Sequence, residues 1–150
     1  NLWLGVTAEN QEMADQRIPI LLDTPAAHRF VSVEPMLGKV DLTGIELGEK
    51  PNRIWYDSLC GTLDKEQNTD LDFIAHLDWV ICGGESGRNA RQLKEEWIKE
   101  LYSDCRCNGT PFFFKQWGEF NEFGERVGKK KSGRLIDDAE VMELPAELEE

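Results

Sequence analysis

The sequence DWVICGGESG at residues 78–87 joins a short apolar run to two glycines, a carboxylate and a polar turn. An apolar run of this length without polar alternation is typical of a strand covered on both faces of a parallel sheet. Similar runs predict buried strands at residues 2–7, 29–34, 79–83 and 111–116. Helix-period segments separate them at 12–22 and 92–107, which predicts parallel strands joined by right-handed crossovers, with Pro19 kinking or breaking the first helix.

The segment between the second and third predicted strands breaks this alternation. Within an insertion at residues 36–76, residues 40–59 have the pattern of a hairpin flap, with strands at 40–47 and 53–59 and a turn at 48–52. The polar residues 61–70 predict a mobile loop. Residues 119–150 predict a carboxy-terminal extension with a short hairpin and a frayed end. We therefore expect an α/β fold of about four mostly parallel strands over residues 1–118, resembling half of a (β/α) barrel.

Composition limits the possible classes of function. The chain has 150 residues, of which 29 are acidic and 17 basic, so its net charge is −12. This charge argues against a broad surface for nucleic acids or anionic membranes. No apolar run reaches the roughly 20 residues that span a bilayer. No segment with the pattern of a leader opens the chain, so we expect a cytoplasmic protein. Because the chain begins with Asn1 and runs directly into a strand, we also expect it to be part of a longer chain.

The cysteines and histidines do not predict a metal site. The two histidines are isolated in the sequence, and the pair Cys105 and Cys107 lacks the further ligands that a metal needs. Reduced thiols are the expectation for the four cysteines, which are Cys60, Cys82, Cys105 and Cys107.

Ionisable side chains follow every predicted strand. Ligands of parallel α/β folds bind at the carboxyl ends of the strands, so we expect these residues to converge at one rim. The candidate catalytic residues are Glu34, Glu85 and Lys115. The candidate ligand-binding residues are Glu9, Asn10, Gly83, Gly84, Ser86, Arg88, Gln116 and Trp117.

Each candidate also has a purely structural interpretation. Glu34 would form a salt bridge with Lys115 or Arg88 when no ligand is present, because isolated buried charges are costly. The two glycines would form an ordinary tight turn rather than let the backbone approach a ligand. Trp117 would pack in the core instead of stacking on a planar ligand.

Several motifs occur in a fixed order along the chain. They are LGVTAENQ (4–11), RIP (17–19), SVEPMLG (32–38), DWVICGGESG (78–87), PFFFKQWG (111–118) and GKKKSGRL (128–135). In this combination the chain closely resembles the carboxy-terminal half of an uncharacterised bacterial and phage family, the phage gp thirty-seven / gp sixty-eight-like proteins. Members of that family usually continue with Leu-Asp-Gly, where this chain has Ile136-Asp137-Asp138, a change expected to alter only a turn.

The resemblance implies a radical S-adenosylmethionine-like enzyme in the full-length members. Their amino-terminal cysteine cluster would hold an iron–sulfur cluster on a partial (β/α) barrel. This chain has no C-x3-C-x2-C pattern. The resemblance therefore implies that S-adenosylmethionine and the cluster belong to the full-length protein and that this chain holds no cofactor. The Gly83-Gly84-Glu85 sequence is similar to the motif that contacts S-adenosylmethionine in such enzymes, but it comes too late in the chain.

Three hypotheses of function remain open at this point. The chain is the substrate-side half of a radical S-adenosylmethionine-like enzyme, or a hydrolase that uses Glu34 and Glu85 as paired carboxylates with or without a metal, or a non-catalytic interaction module of a mobile element. The first predicts that this chain alone has no turnover. A half-barrel would leave a sheet edge or an apolar face uncovered, so we expect a homodimer or the missing amino-terminal half to cover it.

Overall fold

The computed structural model describes residues 2–47, 54–63 and 75–148. Along the chain the helices and strands are β1 (Trp3–Thr7), α1 (Gln11–Asp23), β2 (His28–Val33), β3 (Ile45–Leu47), β4 (Ile54–Asp57), β5 (Thr62–Leu63), β6 (Trp79–Cys82), α2 (Glu95–Asn108), β7 (Phe112–Phe114), β8 (Leu135–Ile136) and β9 (Ala139–Glu140). The main sheet has the order β1-β2-β6-β7, and all its neighbouring strands are parallel. The predicted α/β fold with a four-stranded parallel sheet is confirmed.

The two long helices follow local signals in the sequence. The Asn10 side chain accepts a hydrogen bond from the Met13 N–H and so caps α1. The helix continues through Pro19, so of the two predicted effects of this proline the break is wrong and the kink stays a prediction. α2 begins at Glu95, three residues later than predicted, and Leu93 is buried in the preceding loop. α2 ends at Asn108, and the cap residue Gly109 closes the helix in the left-handed conformation with a φ of 71°.

The two faces of the main sheet differ. One face carries Val31, Val80 and Phe112, which are fully buried and share one hydrophobic core with the apolar side chains of both helices, such as Ile18 and Leu101. This one-sided cover follows from right-handed crossovers between strands that neighbour each other in sequence order.

The opposite face carries a continuous group of half-buried rings, here called the aromatic face: Trp3, His28, Phe30, Trp79 and Phe113. Trp3 stacks on His28 with 4.3 Å between ring centroids. Trp79 packs tilted against Phe30 at 6.1 Å and edge-on against Phe113 at 6.0 Å. These residues are not part of the core that the helices cover.

The insertion contains the predicted hairpin with shorter strands. β3, β4 and β5 form a separate antiparallel sheet, while the predicted turn at 48–52 lies outside the described residues. The prediction of a mobile loop is wrong for residues 62–63, which form β5, and residues 64–70 are not described. Ile45 and Tyr56 are buried in the common core, and the Glu46 N–H donates to Asp15 of α1 at 3.1 Å. The hairpin therefore packs on α1 and the core instead of forming a flap.

The carboxy-terminal extension returns to the main sheet. β8 and β9 form the predicted short hairpin, with Asp137 and Asp138 at positive φ in its turn. Residues 141–143 then run antiparallel along β7: the Phe114 N–H donates to the Val141 carbonyl at 2.8 Å, and the Glu143 N–H donates to the Phe112 carbonyl at 3.0 Å. The chain thus covers the β7 edge itself, whereas β1 has no strand on its outer side among the described residues.

Neither described helix is long and apolar enough to cross a membrane.

Candidate functional site

A salt bridge lies across the carboxyl ends of three adjacent strands. Lys115 Nζ, which follows β7, is 3.0 Å from Oε2 of Glu34, which follows β2. The Glu34 carboxyl rests against Gly83 at the end of β6, where a Cβ atom would stand 3.1 Å from it. The Glu34 side chain is 20% exposed and that of Lys115 is 54% exposed. The predicted ion pair is therefore present, and the Lys115 ammonium group remains open to solvent.

Gln116 holds the other side of the Glu34 carboxylate. Its Nε2 donates to Glu34 Oε1 at 3.4 Å and to the Gly84 carbonyl at 3.1 Å. Both partners are acceptors, which fixes the orientation of the amide. Gln116 is 9% exposed, and its Oε1 has no hydrogen-bond partner among the described residues. We call Glu34, Lys115 and Gln116 the rim triad.

Glu85 forms a separate ion pair with Arg91. Its two oxygens accept from Arg91 Nε and Nη2 at 2.8 and 2.9 Å, and Oε2 also accepts the Arg91 backbone N–H at 2.8 Å. The Arg91 side-chain hydrogen bonds lower the pKa of Glu85 to about 2. Glu85 is thus ionised at neutral pH and is a poor general acid. Glu34 and Glu85 therefore pair with different cations, Lys115 and Arg91, and a hydrolase that uses these two carboxylates stays a hypothesis.

At Gly84 the loop after β6 crosses the loop after β7 in close backbone contact, which we call the backbone crossing. A Cβ atom on Gly84 would overlap the Trp117 carbonyl oxygen, and one on Gly118 would overlap the Glu85 carbonyl oxygen. The Gly84 N–H donates to the Gln116 carbonyl and the Glu119 N–H to the Glu85 carbonyl, both at 2.8 Å. The two glycines let the loops after β6 and β7 pack backbone against backbone. This crossing accounts for Gly84 without a ligand.

Glu9 and Asn10 interact with the first helix. Glu9 Oε2 is 3.0 Å from Arg17 Nη1, which also donates to the Thr7 carbonyl at 2.8 Å. The hydrogen bond from its own backbone N–H, and then those from Arg17, lower the pKa of Glu9. Asn10 caps α1, as described above. Among the described residues, no hydrogen bond or ion pair joins Glu9 or Asn10 to the rim triad.

The remaining candidates take different places. Ser86 and Arg88 are exposed on the loop after Gly84, and the Arg88 carbonyl accepts from Arg126 Nη2 at 2.7 Å. Trp117 is only 2% exposed, packs edge-on against Phe114 at 5.1 Å and donates its Nε1–H to the Leu135 carbonyl at 2.9 Å. Its ring is therefore enclosed by the core and is not open for stacking on a ligand.

The sequence analysis missed Arg17 and Arg91. Both lie on segments that fold back towards a strand end, and each binds a candidate glutamate. The Arg17–Glu9 pair could have been predicted, because Arg17 lies in the first half of the predicted helix that directly follows Glu9. The Arg91–Glu85 pair could not have been predicted, because residues 87–94 form an irregular loop and no periodic sequence pattern indicates where such a loop runs.

The cysteines do not fit an iron–sulfur cluster. Cys82 and Cys105 are buried in the core, whereas Cys60 is partly exposed and Cys107 is exposed. Within the described residues no group of three His, Cys, Asp or Glu side chains could hold a metal ion.

Comparison with known proteins identifies one family. The family described as "Protein of unknown function (DUF5131)" matches residues 1–145 of the chain. No curated protein and no solved structure gives a match.

Proposed function

The chain belongs to the DUF5131 family of proteins of unknown function, and we propose that it forms the substrate-binding half of a (β/α)-barrel enzyme of the radical S-adenosylmethionine type. The motif order that resembles the phage gp thirty-seven / gp sixty-eight-like proteins supports the enzyme type. Four unpaired cysteines support a place in the reducing cytoplasm.

The shape of the sheet supports the half-barrel. Parallel sheets are normally covered on both faces. Here both helices cover one face, while the aromatic face on the other side is only half-buried and the outer edge of β1 has no strand beside it among the described residues. In a closed barrel these are the inner wall and the edge that receives the next strand. We therefore propose that further barrel strands cover them. A homodimer is the alternative, which light scattering of the chain distinguishes.

The cofactors of a radical enzyme are assigned to residues outside this chain. The described cysteines do not fit an iron–sulfur cluster, for the reasons given above. The part that this chain takes in the reaction is accordingly the binding and orientation of a substrate.

The rim triad carries the proposal. It places a carboxylate, an exposed ammonium and a buried amide at the ends of three parallel strands, which is where ligands of this fold class bind. An anionic group of a polar substrate would replace Glu34 as the partner of Lys115. Glu34, still held by Gln116, would then accept a hydrogen bond from a substrate N–H or O–H group.

Equilibrium dialysis against a bacterial small-molecule extract, read by mass spectrometry, tests this role. We expect the chain to retain at least one polar compound, and Glu34→Gln and Lys115→Met to lose it. The matched controls Glu122→Gln and Lys130→Met change the same residue types in the carboxy-terminal extension and should retain the compound. If no compound depends on Glu34 and Lys115, the substrate-binding role is wrong and the non-catalytic interaction module is favoured.

Reconstitution tests the assignment of the cofactor separately. The chain incubated with iron and sulfide without oxygen should not gain the visible absorption of an iron–sulfur cluster. A stable cluster on this chain alone would contradict the assignment.

A further inference from the structure

A cavity lies at the opposite end of the sheet from the rim triad. It has a volume of about 410 Å³ and lies where β6 and β7 begin. Its walls come from the turn after β4, the residues before β6, the end of α2 and the short helix Ala146–Leu148. A volume of this size is within the range of small-molecule sites. We infer that this cavity binds a small organic cation that carries a primary ammonium or guanidinium group.

The charges around the cavity favour a cation. Asp78 and Glu147 both line it, and no lysine or arginine does so among the described residues. α2 also ends here, at Asn108, so the negative end of its helix dipole faces the same space. His76 is the one basic side chain in the lining. The cavity therefore combines two carboxylates with a helix carboxyl terminus.

One carboxylate oxygen of Asp78 binds the backbone of β2, and the other lies near His76. Its Oδ2 accepts the Arg29 N–H at 2.7 Å, and the Asp78 N–H donates to the Arg29 carbonyl at 2.8 Å. Its Oδ1 is 3.8 Å from Nε2 of His76, and the two form an ion pair when the imidazole is protonated. A ligand N–H group would replace His76 at this oxygen, which is oriented because the Arg29 N–H of β2 holds the other oxygen of the carboxylate.

The chemistry of the lining favours an organic cation over a metal ion. No group of three His, Cys, Asp or Glu side chains in the described part of the chain could hold a metal. The Asp78 and Glu147 carboxylates accept hydrogen bonds, and ammonium and guanidinium groups supply several N–H donors to them.

Cys60 provides a reporter on the cavity wall. Its thiol is partly exposed and lies 3.0 Å from the Thr62 hydroxyl. Cys107 is exposed outside this cavity and serves as an internal control. The experiment measures the alkylation rate of each cysteine with iodoacetamide by mass spectrometry, with agmatine or putrescine as the probe and butanediol or succinate as the neutral and anionic controls.

We expect the cationic probes to slow alkylation of Cys60 about tenfold when their concentration is about ten times Kd, and to leave Cys107 unchanged. Asp78→Asn and Glu147→Gln should each weaken the protection, while Asp138→Asn in the distant β8–β9 turn should not. Asparagine keeps an acceptor for the Arg29 N–H, and Glu147 is exposed, so these variants should fold. If neither cation protects Cys60, or if butanediol or succinate protects it equally, the inference is wrong.

Discussion

Replacing Gly84 with alanine tests the backbone crossing beside the rim triad. The new Cβ atom would overlap the Trp117 carbonyl oxygen, which belongs to the backbone and cannot rotate away. Relief of the overlap would separate the loops after β6 and β7. The hydrogen bonds that join Gly84 to Gln116 and Glu119 to Glu85 would then lengthen or break.

The cost follows from these contacts. Losing two hydrogen bonds costs about 0.5–1.5 kcal/mol each, and overpacking a closed contact costs about 1–3 kcal/mol. Alanine also reduces the entropy of the unfolded chain, which offsets about 0.4–1 kcal/mol. We expect Gly84→Ala to lower the free energy of unfolding by about 1–6 kcal/mol.

Gly83→Ala is the matched control. Its Cβ atom would meet the Glu34 side chain at 3.1 Å, and a side chain can shift by a few tenths of an ångström. The unfolded-state effect is the same for both variants and cancels in their difference. Urea unfolding followed by tryptophan fluorescence measures both. Equal stabilities of the two variants, or a Gly84→Ala protein as stable as the wild type, would refute the crossing.

Three further predictions concern the core, a turn and an ion pair. Phe112→Ala should cost about 3–5 kcal/mol in urea unfolding because the ring is fully buried, whereas Phe113→Ala on the half-buried aromatic face should cost clearly less; equal costs would contradict the difference between the faces. Asp138→Gly should change the free energy of unfolding by less than about 0.5 kcal/mol, because glycine relieves the φ of 64° but also raises the entropy of the unfolded chain; a loss of about 1 kcal/mol or more would contradict this. Arg91→Gln should lower the Tm at neutral pH. Because Arg91 lowers the pKa of Glu85 from 4.5 to about 2, the difference from wild type should be full above pH 4.5 and shrink as the pH falls towards 2; a constant difference would count against the pair.

The parts of the fold with a strong local signal could be predicted from the sequence. The four apolar runs gave the parallel sheet, and the Glu34–Lys115 pair followed from the rule that parallel strand ends share one rim. The helix boundary at Glu95 was missed because Leu93 is buried without being helical. The break at Pro19 was predicted from the proline alone, but α1 is continuous and its residues on both sides of Pro19, such as Ile18 and Leu21, are buried in the core.

The less predictable parts depend on contacts between distant segments. Residues 141–143 cover β7 through backbone hydrogen bonds, which leave no pattern in side-chain types. Glu85 stands after a strand like Glu34, but the crossing at Gly84 directs the chain so that Arg91 binds it. Trp117 likewise follows a strand end, and its burial comes from the returning chain at Leu135.

The side-chain amide of Gln116 gives the most direct test of the rim triad as a ligand site. It can be followed by NMR in isotope-labelled protein while the compound retained in dialysis is added. The compound should shift the Gln116 Nε2–H signals, because they donate to Glu34, and the shift should be absent in Glu34→Gln. Binding that leaves these signals unchanged and moves signals elsewhere would contradict a substrate site at the rim.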